Sequence, residues 1–278
     1  MDQWLMQNET EVRLGFFIGV FVLVALWELM APRRSLNYSK TVRWYSNLGV
    51  AFLNSAVLRL VFPLLATGLA VMAEQNGWGI LNNVDLPYGL SFVIALVLMD
   101  LVIYLQHVLF HALPLLWRFH RMHHTDLDFD VTTGARFHPI EIILSMVIKM
   151  MVVVAIGPPV LAVLVFEVLL NLTSMFNHGN IHLPISLDRI LRKFVVTPDM
   201  HRVHHSTLST ETNTNFGFNL PWWDHMFGTY CDQPEHGHEG MTIGITQFRH
   251  SKELHLHRLV IQPFLGSTRE YPMGQRRK

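Results

Sequence analysis

The chain has 278 residues, of which 50% are hydrophobic and 15% are charged, so it is more apolar than most soluble domains of its size. Its formal net charge is +0 with histidine neutral, and it lacks the overall basic field that nucleic-acid binding favours. Cys231 is the single cysteine and cannot form an internal disulfide. These features predict a membrane protein with a polar part, without nucleic acid as a partner, in which histidine is the candidate metal ligand.

Four apolar segments are long enough to enter or cross a bilayer, for which an α-helix needs about 20 apolar residues. Residues 14–30, 47–73 and 86–105 predict three transmembrane helices. Residues 140–171 contain two apolar arms on either side of a Gly-Pro-Pro sequence. Because each arm is short for a full crossing, this segment predicts a hairpin that enters the bilayer and returns.

The distribution of positive charge predicts how these segments are oriented. Four lysine or arginine residues lie within residues 31–46, whereas residues 74–85 contain none. The positive-inside rule therefore places residues 31–46 in the cytoplasm and residues 74–87 outside. The third span then returns the chain to the cytoplasm, on the side where the histidine-rich segments follow.

Ten of the 17 histidines fall into four clusters at helical spacing, where positions i, i+3 and i+4 share one face. The clusters are His107 and His111; His120, His123 and His124; His178 and His182; and His201, His204 and His205. Two of them repeat one pattern, His-Arg-x-His-His. Because imidazole is the commonest metal ligand, the four clusters predict a two-metal centre at a membrane surface.

The residues around these clusters also carry a family resemblance. The motifs are Gln106-His107-x-x-x-His111, Trp117-x-x-His120-x-x-His123-His124, Asn177-His178-x-x-x-His182, His201-x-x-His204-His205, residues 130–141, and Trp223-Asp224 followed by Phe227-Gly228-Thr229. Together they resemble the membrane-bound fatty acid hydroxylase and sterol desaturase superfamily, in particular its bacterial sterol desaturase members. The resemblance covers about residues 90–232. Phe216 and His225 stand where a tyrosine and an arginine are common in that family.

This resemblance implies an O2-dependent oxidoreductase of the monooxygenase type. It would hydroxylate or desaturate a C–H bond of a membrane lipid, a fatty acyl chain or a sterol-like substrate. The resemblance also implies two iron ions, with O2 as cosubstrate and all ten clustered histidines as catalytic metal ligands. Zinc is redox-inert, so iron is the functional expectation, although zinc can occupy a histidine-rich site during purification.

Five further residues near the clusters are candidates for supporting the ligands, because a ligating histidine usually donates its other N–H to a carboxylate, carbonyl or water. They are Asp100, His138, Glu141, Asp199 and Asp224. Asp100 lies inside the third span, where a carboxylate is costly and usually functional; neutralising a basic residue such as Arg59 is the alternative. For His138 a structural or supporting role is favoured over ligation.

The sequence also bears on where the electrons and the substrate come from. The sequence contains no haem-attachment motif and no glycine-rich dinucleotide fingerprint. We therefore expect a separate electron donor, either a ferredoxin or a cytochrome with its reductase. The lipid substrate is expected to reach the metals directly from the bilayer.

Other functions remain open at this point. A membrane metal transport or metal-storage protein could use many histidines, but its ligands should lie at bilayer depth. A multi-haem electron carrier would need opposed histidine pairs on spanning helices. Within the enzyme interpretation, desaturation and ether-lipid cleavage compete with hydroxylation, which is preferred because removing one hydrogen demands less substrate positioning than removing two.

The expected fold is all-α, one integral membrane helical bundle of three or four transmembrane helices with a cytoplasmic histidine-rich helical cap. Its expected parts, within a single domain over residues 1–278, are transmembrane helices in residues 13–112, a first cytoplasmic histidine-rich segment in residues 113–139, an apolar hairpin in residues 140–177, and a cytoplasmic histidine-rich cap and tail in residues 178–278. Residues 253–263 predict a short strand. The expected location is a bacterial inner membrane, with the active site facing the cytoplasm.

Overall fold

A computed structural model describes residues 7–267 together with residues 4 and 273. Over these residues the chain is all-α, with only two isolated β-bridges, Pro32 to Ile181 and Ser206 to Ile243. The expected fold class is confirmed. The rest of the expected tail, residues 268–272 and 274–278, lies outside the described residues.

Thirteen α-helices of four or more residues form the described part of the molecule. In chain order they are α1 (Glu9–Met30), α2 (Lys40–Val61), α3 (Ala66–Asn76), α4 (Tyr88–Ala112), α5 (Pro114–His124), α6 (Pro139–Ile156), α7 (Val160–Asn177), α8 (Ile185–Leu191), α9 (Pro198–His204), α10 (Ser209–Thr212), α11 (Trp222–Phe227), α12 (Gly237–Gly240) and α13 (Leu256–Ile261).

Within the described residues, five stretches are long and apolar enough to cross a membrane by length and composition. They are α1, the stretch of α2 and α3 taken together, α4, α6 and α7. The first three correspond to the three spans expected from the sequence, and the last two are the arms of the expected hairpin. Each arm has 18 residues, about 27 Å at 1.5 Å per residue.

The second expected span is not one continuous helix. The chain leaves the helix after Val61 and resumes it only at Ala66. Pro63 lies in this break, where its missing N–H and its restriction on the preceding residue both disfavour helix. The second piece, α3, packs across α6 and α7, so it closes one side of the hairpin.

The expected strand at residues 253–263 is also wrong. The chain there forms a short 3-10 turn at Ser251–Leu254 and then α13. Leu256 and Leu259 are three residues apart and share one helix face, and both belong to the apolar cluster around Val50 of α2. Packing of this helical face against α2 therefore decides the local structure.

The hairpin turn depends on glycine. Gly157 has φ +65° and ends α6, and a Cβ at this position would lie 2.4 Å from the carbonyl oxygen of Trp78. The loop after α3 also binds the turn, because Leu81 N donates to Ile156 O at 2.7 Å. This backbone contact holds the α3–α4 loop against the tip of the hairpin.

The apolar core of the bundle reaches up to the histidines. Met99 and Ile103 of α4 pack with Val153 of α6 and Phe166 of α7, all buried. Phe218, from the segment after α10, packs against the same cluster. The bundle core and the cap are therefore one continuous packed unit over the described residues.

Candidate metal centre

Nine of the ten expected ligands converge in two groups. The five-histidine group is His107, His111, His120, His124 and His204, and the four-histidine group is His123, His178, His201 and His205. Within each group, one nitrogen from every ring lies within 4.8 Å of all the others. All nine side chains are buried, with at most 6% exposure.

Helix ends bring these side chains together. His107 and His111 occupy the last turns of α4, and only Leu113 separates α4 from α5, which begins at Pro114. Proline is well suited to a first helical position because it needs no N–H partner there. α5 therefore turns back over the end of α4 and delivers the second cluster beside the first.

The third and fourth clusters also arrive at helix ends. His178 immediately follows α7 as its C-terminal cap residue. α9 carries the fourth cluster and begins with an N-cap in which Thr197 Oγ1 accepts a hydrogen bond from Met200 N at 3.4 Å. α9 packs against α7, so His178 and His201 lie next to each other.

The ring orientations show which nitrogen is free to bind a metal. Four rings place Nδ1 at a backbone carbonyl: His107 at Phe216 O (2.8 Å), His123 at Arg136 O (3.2 Å), His178 at Ser174 O (2.7 Å) and His204 at Thr214 O (2.7 Å). A carbonyl can only accept, so the proton of each neutral ring is on Nδ1. Each Nε2 is therefore left with a lone pair.

These lone pairs face one another. His178 Nε2 lies 3.1 Å from His123 Nε2 and 3.1 Å from His201 Nε2. Two unprotonated nitrogens cannot hydrogen-bond to each other, and buried polar atoms without partners are costly. His107 Nε2 and His204 Nε2 likewise have no hydrogen-bond partner among the described residues. A cation shared between such nitrogens removes this cost, so the donor set fits a metal.

Burial keeps these rings neutral. It lowers the pKa of His178 to about 3 and the pKa of His204 to about 3. Burial, followed by the neighbouring imidazoles, lowers the pKa of His123 and His205 well below the usual range. Neutral imidazole is the form that binds metals, so the groups hold their ligating form at pH 7.

His182 does not join either group. Its side chain is exposed, and its backbone N donates to Ala31 O at 2.8 Å. α7 ends at Asn177 and the chain is not helical again until Ile185, so the four-residue spacing from His178 does not place the two rings on one face. The structure therefore places His182 outside both histidine groups, and its ligation stays a prediction.

Glu141 is the carboxylate in direct contact with a grouped histidine. Its Oε1 lies 2.7 Å from His120 Nδ1, and it stands in the first turn of α6. This contact fixes the ring of His120 and favours a lone pair on its Nε2. The supporting role expected for Glu141 stays a prediction, and this contact is the geometry on which it depends.

Asp224 acts through the backbone. Its two carboxylate oxygens accept from Phe216 N and Gly217 N, each at 2.8 Å. The carbonyl of Phe216 is the acceptor for His107 Nδ1. Asp224 therefore holds the peptide that orients a grouped ring, without touching that ring.

Asp100 joins the bundle to the cap. Its Oδ2 accepts from Trp223 Nε1 at 2.8 Å and from Leu220 N at 3.2 Å. These partners differ from the expected alternative, Arg59, whose side chain is exposed. One oxygen of this buried carboxylate is thus bound by the cap, whereas its Oδ1 has no hydrogen-bond partner among the described residues.

The last two candidates stabilise the frame of the site. Asp199 pairs with Arg202 and, at 3.2 Å, with Arg33 after α1. His138 Nδ1 accepts from Ile140 N at 3.1 Å, which caps α6, and its other nitrogen lies 3.1 Å from the carbonyl oxygen of Val260. Neither side chain belongs to a histidine group.

Comparison with known proteins identifies the family. The fatty acid hydroxylase family model matches residues 92–229. The ornithine lipid hydroxylase OlsE of Rhizobium tropici is 32% identical over 240 residues, which cover 83% of this chain and 70% of that protein. The chain belongs to the fatty acid hydroxylase family. The resemblance inferred from the histidine motifs is confirmed, and with its five candidate spans the chain is an integral membrane protein of this family.

More distant relatives match a smaller part of their own length. Alkylglycerol monooxygenases of Xenopus tropicalis and Danio rerio are 26% identical over 209 residues and 28% identical over 202 residues. The matches cover 73% and 72% of this chain, but only 45% and 44% of those proteins. No solved structure matches the chain.

The sequence patterns did not predict a buried polar network, part of which lies outside the residues that the family model matches. Arg43 of α2 donates to Asp126 at 2.7 Å and to Asp130 at 2.5 Å, and all three side chains are buried. Burial alone would raise the pKa of Asp126, but Arg43 and Arg136 outweigh it and hold that pKa well below its usual range. The sequence feature that could have indicated this network is the set of alternating aspartates at 126, 128 and 130, directly after the second histidine cluster.

The network holds the loop that supports His123. Arg136 Nε donates to Met122 O at 2.8 Å, and Arg136 Nη1 donates to Asn47 Oδ1 at 3.1 Å. The carbonyl of Arg136 accepts from His123 Nδ1. α2 of this family member therefore braces the site, although it lies before the residues that the family model matches.

Proposed function

We propose that this chain is an O2-dependent lipid hydroxylase whose buried histidines hold two iron ions. The observation that carries the proposal is the pair of histidine groups, in each of which one nitrogen from every ring lies within 4.8 Å of all the others. Two relatives whose names are lipid hydroxylase and alkylglycerol monooxygenase support hydroxylation over desaturation.

Each group would hold one ion. The five-histidine group supplies five imidazoles and the four-histidine group supplies four, so the centre is dominated by nitrogen ligands and includes neither cysteine nor carboxylate. Bound iron supplies the redox chemistry that activates O2, which zinc cannot supply. The protein fixes the rings through Glu141 and the backbone carbonyls, so that the ligating nitrogens are already oriented.

Aromatic side chains shield the centre and form an apolar approach to it. Phe216 is fully buried, with its ring 5.4 Å from the ring of His107 and 5.0 Å from that of His111. Phe218 lies 6.4 Å from His107 and packs on the bundle core. We propose that the substrate's alkyl segment approaches along this side, where these rings exclude water.

A polar membrane lipid is the proposed substrate class. The relatives named above act, by their names, on an ornithine lipid and on alkylglycerols, both of which join a polar part to long chains. The proposed product is the lipid with one C–H bond converted to C–OH. Hydroxylation beside an ether oxygen, which would lead to cleavage, is included in this class.

We further propose that residues 1–278 form one domain whose cap and metal centre face the cytoplasm of a bacterial inner membrane. Arg33 and Arg34 follow α1 in the segment that the positive-inside rule assigns to the cytoplasm. Arg33 pairs with Asp199, and Arg34 Nη1 donates to Met241 O at 3.1 Å. These contacts support a cap on the same side as the basic loop. Electrons would come from a separate ferredoxin or from a cytochrome with its reductase.

The test combines metal content with product analysis. Protein from cells grown on iron-57 should contain about two spin-coupled irons per chain by elemental analysis and Mössbauer spectroscopy. In membranes supplied with a reductase system, ornithine lipid or alkylglycerol should gain one oxygen atom, labelled when 18O2 is used. Two bound metals without any O2-dependent change in lipid would refute the enzyme proposal and favour metal storage or transport.

A further inference from the structure

Two short helices of the cap expose an apolar surface. The C-terminal end of α8 is joined to α11 by a hydrogen bond from Trp222 Nε1 to Lys193 O at 2.7 Å. We name this surface the apolar patch, and its residues, with their exposed fractions, are Ile185 (69%), Ile190 (58%), Phe194 (63%), Trp222 (44%), Met226 (67%) and Phe227 (52%). An exposed set of large apolar side chains of this kind marks an interaction surface.

The depth of the patch follows from its contacts with α4. Trp223, within α11, donates to Asp100, which lies midway along the span that runs from Tyr88 to Ala112. Phe227 stacks on Tyr104 with ring centroids 5.5 Å apart. Tyr104 is eight residues before the end of α4, about 12 Å along the helix axis. α11 therefore lies beside the second half of a spanning helix.

The apolar patch is continuous with a surface that faces lipid. Leu105 and Leu109 of α4 are 48% and 42% exposed, and Leu105 directly follows the residue on which Phe227 stacks. A water-soluble partner would have to enter the bilayer surface to reach this part of the patch. A bilayer already surrounds α4, so lipid is the occupant that the geometry favours.

The charges beside the patch fit anionic headgroups. Arg189 and Lys193 are exposed and lie on and directly after α8. Arg192 is instead paired with Asp188 and with Asp232, whose Oδ1 lies 2.5 Å from its Nη1. Arg192 offsets only one of these two carboxylates, so the three groups together carry one negative charge. Arg189 and Lys193 add two positive charges, and the net charge of these five residues beside the patch is therefore positive. Apolar side chains flanked by lysine and arginine are typical of interfacial membrane helices.

We propose that the apolar patch inserts into the leaflet on the cap side of the membrane. In this arrangement its apolar side chains contact acyl chains, and Arg189 and Lys193 contact anionic headgroups. The cap is then partly immersed and does not stand clear beyond the ends of the spans. The metal centre lies at the level of the lipid headgroups, within reach of a lipid that stays in the bilayer.

The experiment measures how deeply the patch is immersed. In full-length protein carrying Cys231→Ser, a bimane label is attached at Met226→Cys, and the protein is reconstituted into nanodiscs that contain acyl-brominated lipids. The matched control is the same label at Thr210→Cys, an exposed position on α10. α10 ends one residue before Asn213, whose side chain faces His111 in the last turn of α4, so the control lies near the end of the span.

The expected result is at least about threefold stronger quenching by brominated lipid at position 226 than at position 210, with the reverse order for aqueous iodide. Equal lipid quenching at the two positions would overturn the proposal. So would iodide quenching that dominates at position 226, and that outcome would assign the patch to a soluble partner such as an electron donor. Retained metal content in both labelled proteins shows that the fold is intact.

A second experiment tests the proposed contact of Arg189 and Lys193 with anionic headgroups. With Met226→Cys labelled, nanodiscs carry bromine either on phosphatidylglycerol or on phosphatidylcholine. Quenching by the anionic lipid should exceed quenching by the zwitterionic lipid, and the ratio should fall to about one in the Arg189→Gln, Lys193→Gln variant. An unchanged ratio would refute the role of these two cations.

Discussion

The two histidine groups differ in what holds their rings. In the four-histidine group, the Nδ1 atoms of His123 and His178 both face backbone carbonyls. In the five-histidine group, His120 instead faces the carboxylate of Glu141 and His111 faces the side-chain amide of Asn213. His107 and His204 of the five-histidine group also face backbone carbonyls. Of the six rings with such a partner, four are therefore set by main chain alone, and the two that depend on replaceable side chains both belong to the five-histidine group.

The two kinds of partner determine how each half of the centre can change by mutation. A backbone carbonyl is positioned by the fold, so single substitutions leave the partner of His178 in place. A carboxylate or amide can be exchanged without breaking a helix, and it tunes how basic its ring is. We therefore expect the five-histidine group to be adjustable by mutation and the four-histidine group to be rigid.

The largest expected effect comes from removing one ligand from either group. His123→Ala and His204→Ala should each lose about one of two irons, and turnover should fall on the order of 100-fold or more, because even supporting contacts are worth 10- to 100-fold. Iron content and 18O incorporation measure this. His182→Ala is the matched control and should keep both irons, since its side chain lies outside the groups. Loss of both irons in each variant would show that the groups do not bind independently.

Arg43→Gln tests the buried polar network that supports the loop next to His123. It leaves the buried carboxylates of Asp126 and Asp130 without their cation, and breaking a buried pair costs about 3–5 kcal/mol. Thermal unfolding in detergent should therefore occur at a markedly lower temperature. Arg59→Gln, an exposed arginine on the same helix, should change stability by less than about 0.5 kcal/mol. Equal melting of the two variants would contradict the role assigned to Arg43.

Glu141→Gln tests whether the two groups hold their metals separately. The variant should hold the metal of the five-histidine group about 10- to 100-fold more weakly while the metal of the four-histidine group is retained. Stepwise removal by a chelator, followed by iron analysis, should separate the two metals. Glu239→Gln, an exposed carboxylate, serves as the control. Equal weakening of both metals would show that the groups are not separately supported.

The smallest effect per residue is the pH dependence of the metal-free protein. Unfolded histidine titrates near 6.5, whereas burial lowers the folded-state pKa of His178 and His204 to about 3. The unfolded chain therefore binds more protons between these values, and stability falls as pH decreases from 6.5 toward 3. Each such histidine contributes up to about 1.4 kcal/mol per pH unit. Denaturant unfolding of chelated protein at pH 7 and pH 5.5 measures this, and equal stability at the two values would contradict it.

The histidine spacing predicts which rings come together wherever the clustered histidines do lie on a helix. The clusters at 107–111 and 201–205 lie on α4 and α9 and converge as expected. His182 lies outside the groups because α7 ends at Asn177, and the apolar stretch over residues 47–73 is divided into α2 and α3 at Pro63. Helical periodicity carries no information about where a helix stops, so these two departures have one cause.

The alternating aspartates mark one side of the supporting network, but their partner could not be predicted from spacing. Arg43 and Asp126 are 83 residues apart in sequence, and Arg43 and Asp130 are 87 apart. A single sequence does not encode such a pairing in any local pattern. The same is true of the contact between Asp100 and Trp223, 123 residues apart, which sets the depth of α11.

The distance between Arg43 and Asp126 also has a consequence for biogenesis. At about 5–20 residues per second, roughly 4 to 17 s of synthesis separate the two residues, and Arg43 has no acidic partner from this network during that time. In the orientation proposed above, it then counts among the positive charges that retain the loop after the first span on the cytoplasmic side of the translocon. Only when the aspartates emerge does the same guanidinium become buried beneath the centre. One side chain thus orients the nascent chain first and braces the finished site afterwards.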